Sequence, residues 1–73
     1  MAMTTEQRAL VGLIRDSGMS IERFAEVCLG RSRSTVYRWL QGASPIPAKM
    51  VDWIEGPGPV VVDALREAGN EHG

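Results

Sequence analysis

Residues 31–42, RSRSTVYRWLQG, bring three guanidinium groups, two aromatic rings and three aliphatic hydroxyls into twelve positions. A guanidinium donates paired hydrogen bonds to guanine O6 and N7 or to a phosphate, and a glutamine amide serves adenine in the same way, so the group types suit an anionic, acceptor-rich partner. The chain as a whole carries a net charge of −1. That sum conceals a division: residues 1–51 hold seven Lys/Arg against four Asp/Glu, whereas residues 52–73 hold one against five. Because the field at a binding face follows local rather than total charge, the acidic sum does not exclude a polyanion.

Other chemistries find little material. Cys28 is the single cysteine and His72 the single histidine, far apart in sequence, so neither a nucleophile–base pair nor a zinc quartet can be assembled from one chain. Cys28 falls in an apolar stripe and reads as an inert packing residue. Asp52 and Glu55 share a helix face but, with no visible pocket, read as surface charge. No catalytic residue, metal site, cofactor or small-molecule ligand is expected, and the chain is read as a non-enzyme.

The elements that must position the basic stretch are all helical. With 73 residues, 44% apolar and 23% charged, the chain has the composition of one small folded domain. Leu10, Leu13, Ile14 and Ser17 fall at i, i+3, i+4 and i+7, Thr4 and Gln7 have capping-box spacing and Gly18 offers a stop, which predicts a first helix over about 5–17. Ser20 is a good N-cap for a second helix, about 21–29, with Ile21, Phe24, Ala25 and Cys28 on one stripe and Leu29 before Gly30. Ser32 caps a third, about 33–41, and Gly42 follows it as a left-handed terminator.

Pro47 suits the first turn of a fourth helix, about 47–55, containing Met50, Val51, Trp53 and Ile54. After GPGP, read as a stiff joint, a segment over 57–69 has Pro59 at its opening and Val61, Ala64, Leu65 and Ala68 along one side; valines 60–62 suit a short strand equally well. Residues 70–73 read as a frayed tail. The expected fold is therefore all-α, a bundle of four to five helices in one domain, with its core helices over about 5–55.

At 100° per residue, Val36, Trp39 and Leu40 of the third helix cluster on one side, while Ser34, Tyr37, Arg38 and Gln41 point the other way. Arg33 and Thr35 lie on the flanks, and Ser32 sits where unpaired N–H groups and the positive helix end favour anions. Trp39 is assigned to the core; the ring of Tyr37 either half-buries or contacts the partner. A helix, a glycine turn and a helix with polar N-terminal residues form the helix-turn-helix layout, whose second helix enters the major groove, with Arg38 and Gln41 as suitable base readers.

FAEVCLGRSRSTVYRWLQG followed by SPIPAKMVDWI resembles the Cro and phage-repressor (XRE-like) helix-turn-helix family in Ala25, Gly30, the SRSTVYRWL segment, Gly42 and the Ile-Pro pair opening the next helix. The resemblance covers roughly residues 5–55. It implies a lambda-repressor-like fold, sequence-specific binding of double-stranded DNA, dimerisation on a near-palindromic operator, and a role in transcriptional regulation in bacteria or their phages. It also implies base-facing positions at Ser32, Arg33, Ser34, Tyr37, Arg38 and Gln41. The chain departs from the family's pattern in one spacing and one residue. Four residues rather than the usual three separate Ala25 from Gly30, which predicts either a longer second helix or a local distortion. Arg31 stands where the family buries an aliphatic side chain, and is expected to swing out to a phosphate.

The expected partners are double-stranded DNA and a second copy of the chain, the latter through the segment 57–69, with Trp53, Val61 and Leu65 as candidate interface residues; Trp53 serves equally well as a core residue. No apolar run spans a bilayer and MAMTTEQRAL lacks the layout of a secretory signal, so a cytoplasmic location and no membrane partner are expected, repressor-like in a bacterial or phage-infected cell. The competing reading is the same fold used as a protein-interaction module, such as an antitoxin or a phage or plasmid accessory protein, without sequence-specific DNA binding.

Overall fold

The computed structural model describes residues 3–71, the last two by backbone alone. His72 and Gly73, the end of the expected frayed tail, lie outside the described residues, and the helix before them continues through Glu71. Five helices follow one another: α1 (Thr5–Ser17), α2 (Ile21–Phe24, continuing as a π-helical turn, Ala25–Leu29), α3 (Arg33–Gln41), α4 (Ala48–Glu55) and α5 (Gly58–Glu71). Among the described residues there is no strand, so valines 60–62 are helical. No helix in them is long and apolar enough to cross a membrane.

Polar side chains define where the first three helices begin. Thr4 and Gln7 form a full capping box: the Gln7 N–H donates to Thr4 Oγ1 at 3.1 Å and the Thr4 N–H to Gln7 Oε1 at 2.7 Å. Ser20 accepts from the Arg23 N–H at 3.2 Å, and Ser32 from the Thr35 N–H at 3.3 Å. Each cap satisfies a donor that a helix start otherwise leaves open, for about 0.5–2 kcal/mol. Gly18, Gly30 and Gly42 end the same three helices with positive φ. Pro47 stands just before α4 as its N-cap, one residue outside the expected helix.

The extra residue between Ala25 and Gly30 is absorbed by the π turn. At the end of α3 the closing bond runs from the Ala43 N–H to the Arg38 carbonyl, five residues back; at the end of α2 it runs from the Arg31 N–H to the Ala25 carbonyl at 3.0 Å, six residues back. The second loop is thus one residue wider, and Gly30, at φ 64°, still turns the chain into α3. A side chain at that φ would cost about 1–2 kcal/mol. With the turn widened, Ala25 (0% exposed) and Leu29 (8%) both lie inside.

The core is built on α1, which packs against each of the other helices. Leu10, Leu13 and Ile14 meet Phe24, Ala25, Leu29, Val36, Trp39, Ile54 and Val62. Trp53 is half-buried against this core and presents its ring edge-on to Phe24, centroids 6.5 Å apart at 69°, so it serves the fold. The inward side of α5 differs from the expected one: Gly58 and Val62 are buried and Leu65 half-buried, whereas Val61, Ala64 and Ala68 are exposed. The reason is Gly58. A Cβ there would meet the Trp53 carbonyl at 2.7 Å and Leu13 Cδ1 at 3.2 Å, so the bare backbone seats the start of α5 against α4 and α1 and sets its rotation. The same contact opens the helix at Gly58, one residue before Pro59.

Gln7 has a second task. Its Nε2 donates to the Trp39 carbonyl at 2.9 Å and contacts the Leu40 carbonyl at 3.5 Å, so one amide caps the start of α1 and ties down the end of α3. Ser17, the one buried polar residue among those described, donates to the Ile14 carbonyl at 2.6 Å and accepts from the Met19 N–H at 3.0 Å.

Two variants test this construction. Deleting Val27, which is half-exposed in the π turn, should restore a regular α2 that still buries Ala25 and the leucine after Cys28; denaturant unfolding should give a stability within about 1 kcal/mol of the parent, the scale of one backbone hydrogen bond. Loss of cooperative unfolding would show that the wide turn is indispensable. Gln7→Glu keeps the capping acceptor but removes the donor to Trp39 and Leu40, and should cost about 1–3 kcal/mol in the same assay, more than Thr4→Ala.

Candidate nucleic-acid interface

Two buried side chains set the rotation of α3. Val36 is 0% and Trp39 4% exposed, and their burial turns the opposite side of the helix outward. Truncating a buried Trp costs about 3–5 kcal/mol, a large part of the stability of a domain this small. On the outward side, Ser34, Tyr37, Arg38 and Gln41 are all exposed, Tyr37 at 40%. Leu40, at the edge of the buried stripe, is half-buried and packs against the core.

The N-terminal end of α3 adds Arg31, Ser32 and Arg33, all exposed, with Thr35 half-buried beside them. Arg31 is exposed, in the place where the phage-repressor pattern buries an aliphatic side chain, and its backbone N–H closes the wide turn. The Ser32 hydroxyl is turned to its own helix, accepting from the Thr35 N–H and lying 3.0 Å from Thr35 Oγ1. Ser32 therefore serves first as the cap that shapes the site, and the N–H groups of Arg33 and Ser34 are those that helix geometry leaves for an anion.

Arg33 Nη1 lies 3.5 Å from Glu22 Oε2, a pair that bridges the first turns of α2 and α3 with both side chains 60% exposed. An ion pair this exposed adds about 0.2–1 kcal/mol to folding. Arg31 and Arg38 take part in no ion pair among the described residues; the other pair there, Arg66–Asp63 at 2.9 Å, lies on α5. The sequence reading missed Glu22 and the second role of Gln7, since both depend on contacts between helices that spacing within one helix does not report.

Cys28 is half-buried against the core, and burial pushes its thiol up from the ordinary range. Such a thiol stays protonated at neutral pH and is a weak nucleophile. Among the described residues no cluster of His, Cys, Asp or Glu converges on a point where a metal ion could sit.

The elements around α3 are thus a helix packed against its start, a wide glycine turn that carries the unpaired Arg31, and a helix with the unpaired Arg38, a glutamine and hydroxyls on its open face. No curated protein and no solved structure matches the chain. The sequence pattern of the homeodomain-like domain does match, over residues 2–44, which takes in α1, α2, the turn and α3, well over half of the chain. That family shares the helix-turn-helix arrangement of the phage repressors without being confined to their type. The chain belongs to the homeodomain-like family of helix-turn-helix domains, whose arrangement points to DNA binding.

Proposed function

We propose that this chain is a sequence-specific regulator of transcription of the Cro and phage-repressor kind, which binds double-stranded DNA by laying α3 in the major groove. The observation that carries the reading is the sidedness of α3: Ser34, Tyr37, Arg38 and Gln41 exposed, Val36 and Trp39 anchored. Arg38 reads guanine, Gln41 adenine, and Arg31 with the free backbone N–H groups at the start of α3 holds the sugar-phosphate strand. The two helices that follow residue 44, the end of the family match, support the repressor type, as does the Ile46–Pro47 pair that leads into α4.

The reading includes a homodimer. Val60 is 73% and Val61 38% exposed at the start of α5, an apolar pair outside the buried core. A second copy joined there would set two recognition helices about 34–36 Å apart, one turn of duplex, and would match a near-palindromic operator. The acidic residues of the chain's last third then lie with the partner protomer rather than against phosphate. Trp53 and Leu65, each half-buried, are candidates to border this surface.

Anisotropy titrations against duplex DNA over a range of salt should show binding whose log K falls with log salt at a slope of about −2 to −4 per chain. No binding at low salt would refute the reading and favour the protein-interaction module. Arg38→Ala should cost about 1–3 kcal/mol and relax preference at one base pair; an equal loss on all sequences would make Arg38 a phosphate contact. Sedimentation should show a concentration-dependent dimer that Val60→Asp abolishes. A monomer at high micromolar concentration, together with a single chain per binding site, would contradict the dimer.

A further inference from the structure

The Arg33–Glu22 pair is more than an incidental surface contact. Arg33 is the first residue of α3, where the positive helix end disfavours a cation, while Glu22 lies in the first turn of α2, where an anion is favoured. A carboxylate 3.5 Å from Nη1 offsets the charge of Arg33 at that spot and holds its flexible side chain toward the side of α3 that faces α2. A phosphate approaching this guanidinium would meet Glu22 as well, and the two anions repel. Guanine O6 and N7 are neutral acceptors and meet no such repulsion.

Resting on the proposed DNA-binding role, we propose that Glu22 is a specificity-determining residue, which directs Arg33 to the edge of a guanine and away from the phosphate strand. The carboxylate positions and partly neutralises the guanidinium, whose remaining N–H donors reach the base. Its own free lone pairs suit the exocyclic amine of a cytosine in the same groove. Arg31, which has no such neighbour and precedes the helix, is left free to meet a phosphate.

Selection of bound sequences from a random duplex library, run with the parent, Arg33→Ala, Glu22→Gln and Glu26→Gln, tests this. Glu26 is exposed on the same helix and in no ion pair among the described residues, so its variant makes the same charge change without touching the contact. The expected result is one guanine position that is lost, by roughly tenfold in discrimination, in both Arg33→Ala and Glu22→Gln and kept in Glu26→Gln. In anisotropy titrations Glu22→Gln should also steepen the salt slope by about 0.9, as Arg33 is released to a phosphate, whereas Arg33→Ala should leave the slope of the parent unchanged. The inference is overturned if Glu22→Gln keeps the guanine preference, if Glu26→Gln loses it equally, or if Arg33→Ala lowers the slope by about 0.9. Failure of the parent itself to bind DNA would instead bring down the DNA-binding reading, before any variant is compared.

Discussion

Trp39 is held at both of its ends. Its indole is buried in the core, and its carbonyl accepts a hydrogen bond from Gln7, whose amide also begins α1. These two anchors fix the rotation and the axial position of α3 on the rest of the protein. Everything that makes the open face useful follows from that constraint: a helix turned by one residue, 100°, would carry the charged Arg38 into the buried place of Trp39. The polar face has no stabilising task of its own, so its residues are free to be chosen for a partner.

The second constraint lies at the other end of the helix. The wide turn at Gly30 allows α2 to keep Ala25 and Leu29 in the core although one residue too many stands between Ala25 and the glycine. The π turn takes up the extra residue within five positions, and Glu22 lies in reach of Arg33. Core packing, turn geometry and the charge pattern at the start of α3 are therefore one connected arrangement.

Much of this was legible in the sequence because helix ends are written in few residue types. Thr4 with Gln7, Ser20 and Ser32 mark starts, and Gly18, Gly30 and Gly42 mark stops, so the first three helices fall where their caps place them. The sidedness of α3 was legible for the same reason that any amphipathic helix is: period alone separates Trp39 from Arg38. The spacing between Ala25 and Gly30 told that α2 must lengthen or distort, but only packing decides for a π turn. The face of α5 was misread because the valines advertise apolar character all round, and the choice among them is made by Gly58, whose missing side chain admits Trp53 and Leu13. Likewise the link from Glu22 to Arg33 spans two helices and leaves no periodic trace.

Charge ties the parts together. The front of the chain holds the excess of arginine and the last third the excess of carboxylate, so the molecule presents a cationic ridge on one element and an acidic helix elsewhere. Backbone amide shifts of the isotope-labelled protein, followed by NMR during titration with duplex DNA, test the central claim most directly. The account predicts that the largest changes fall on residues 31–41, with α5 little affected. Changes concentrated on α4 and α5, or none at all in low salt, would contradict it.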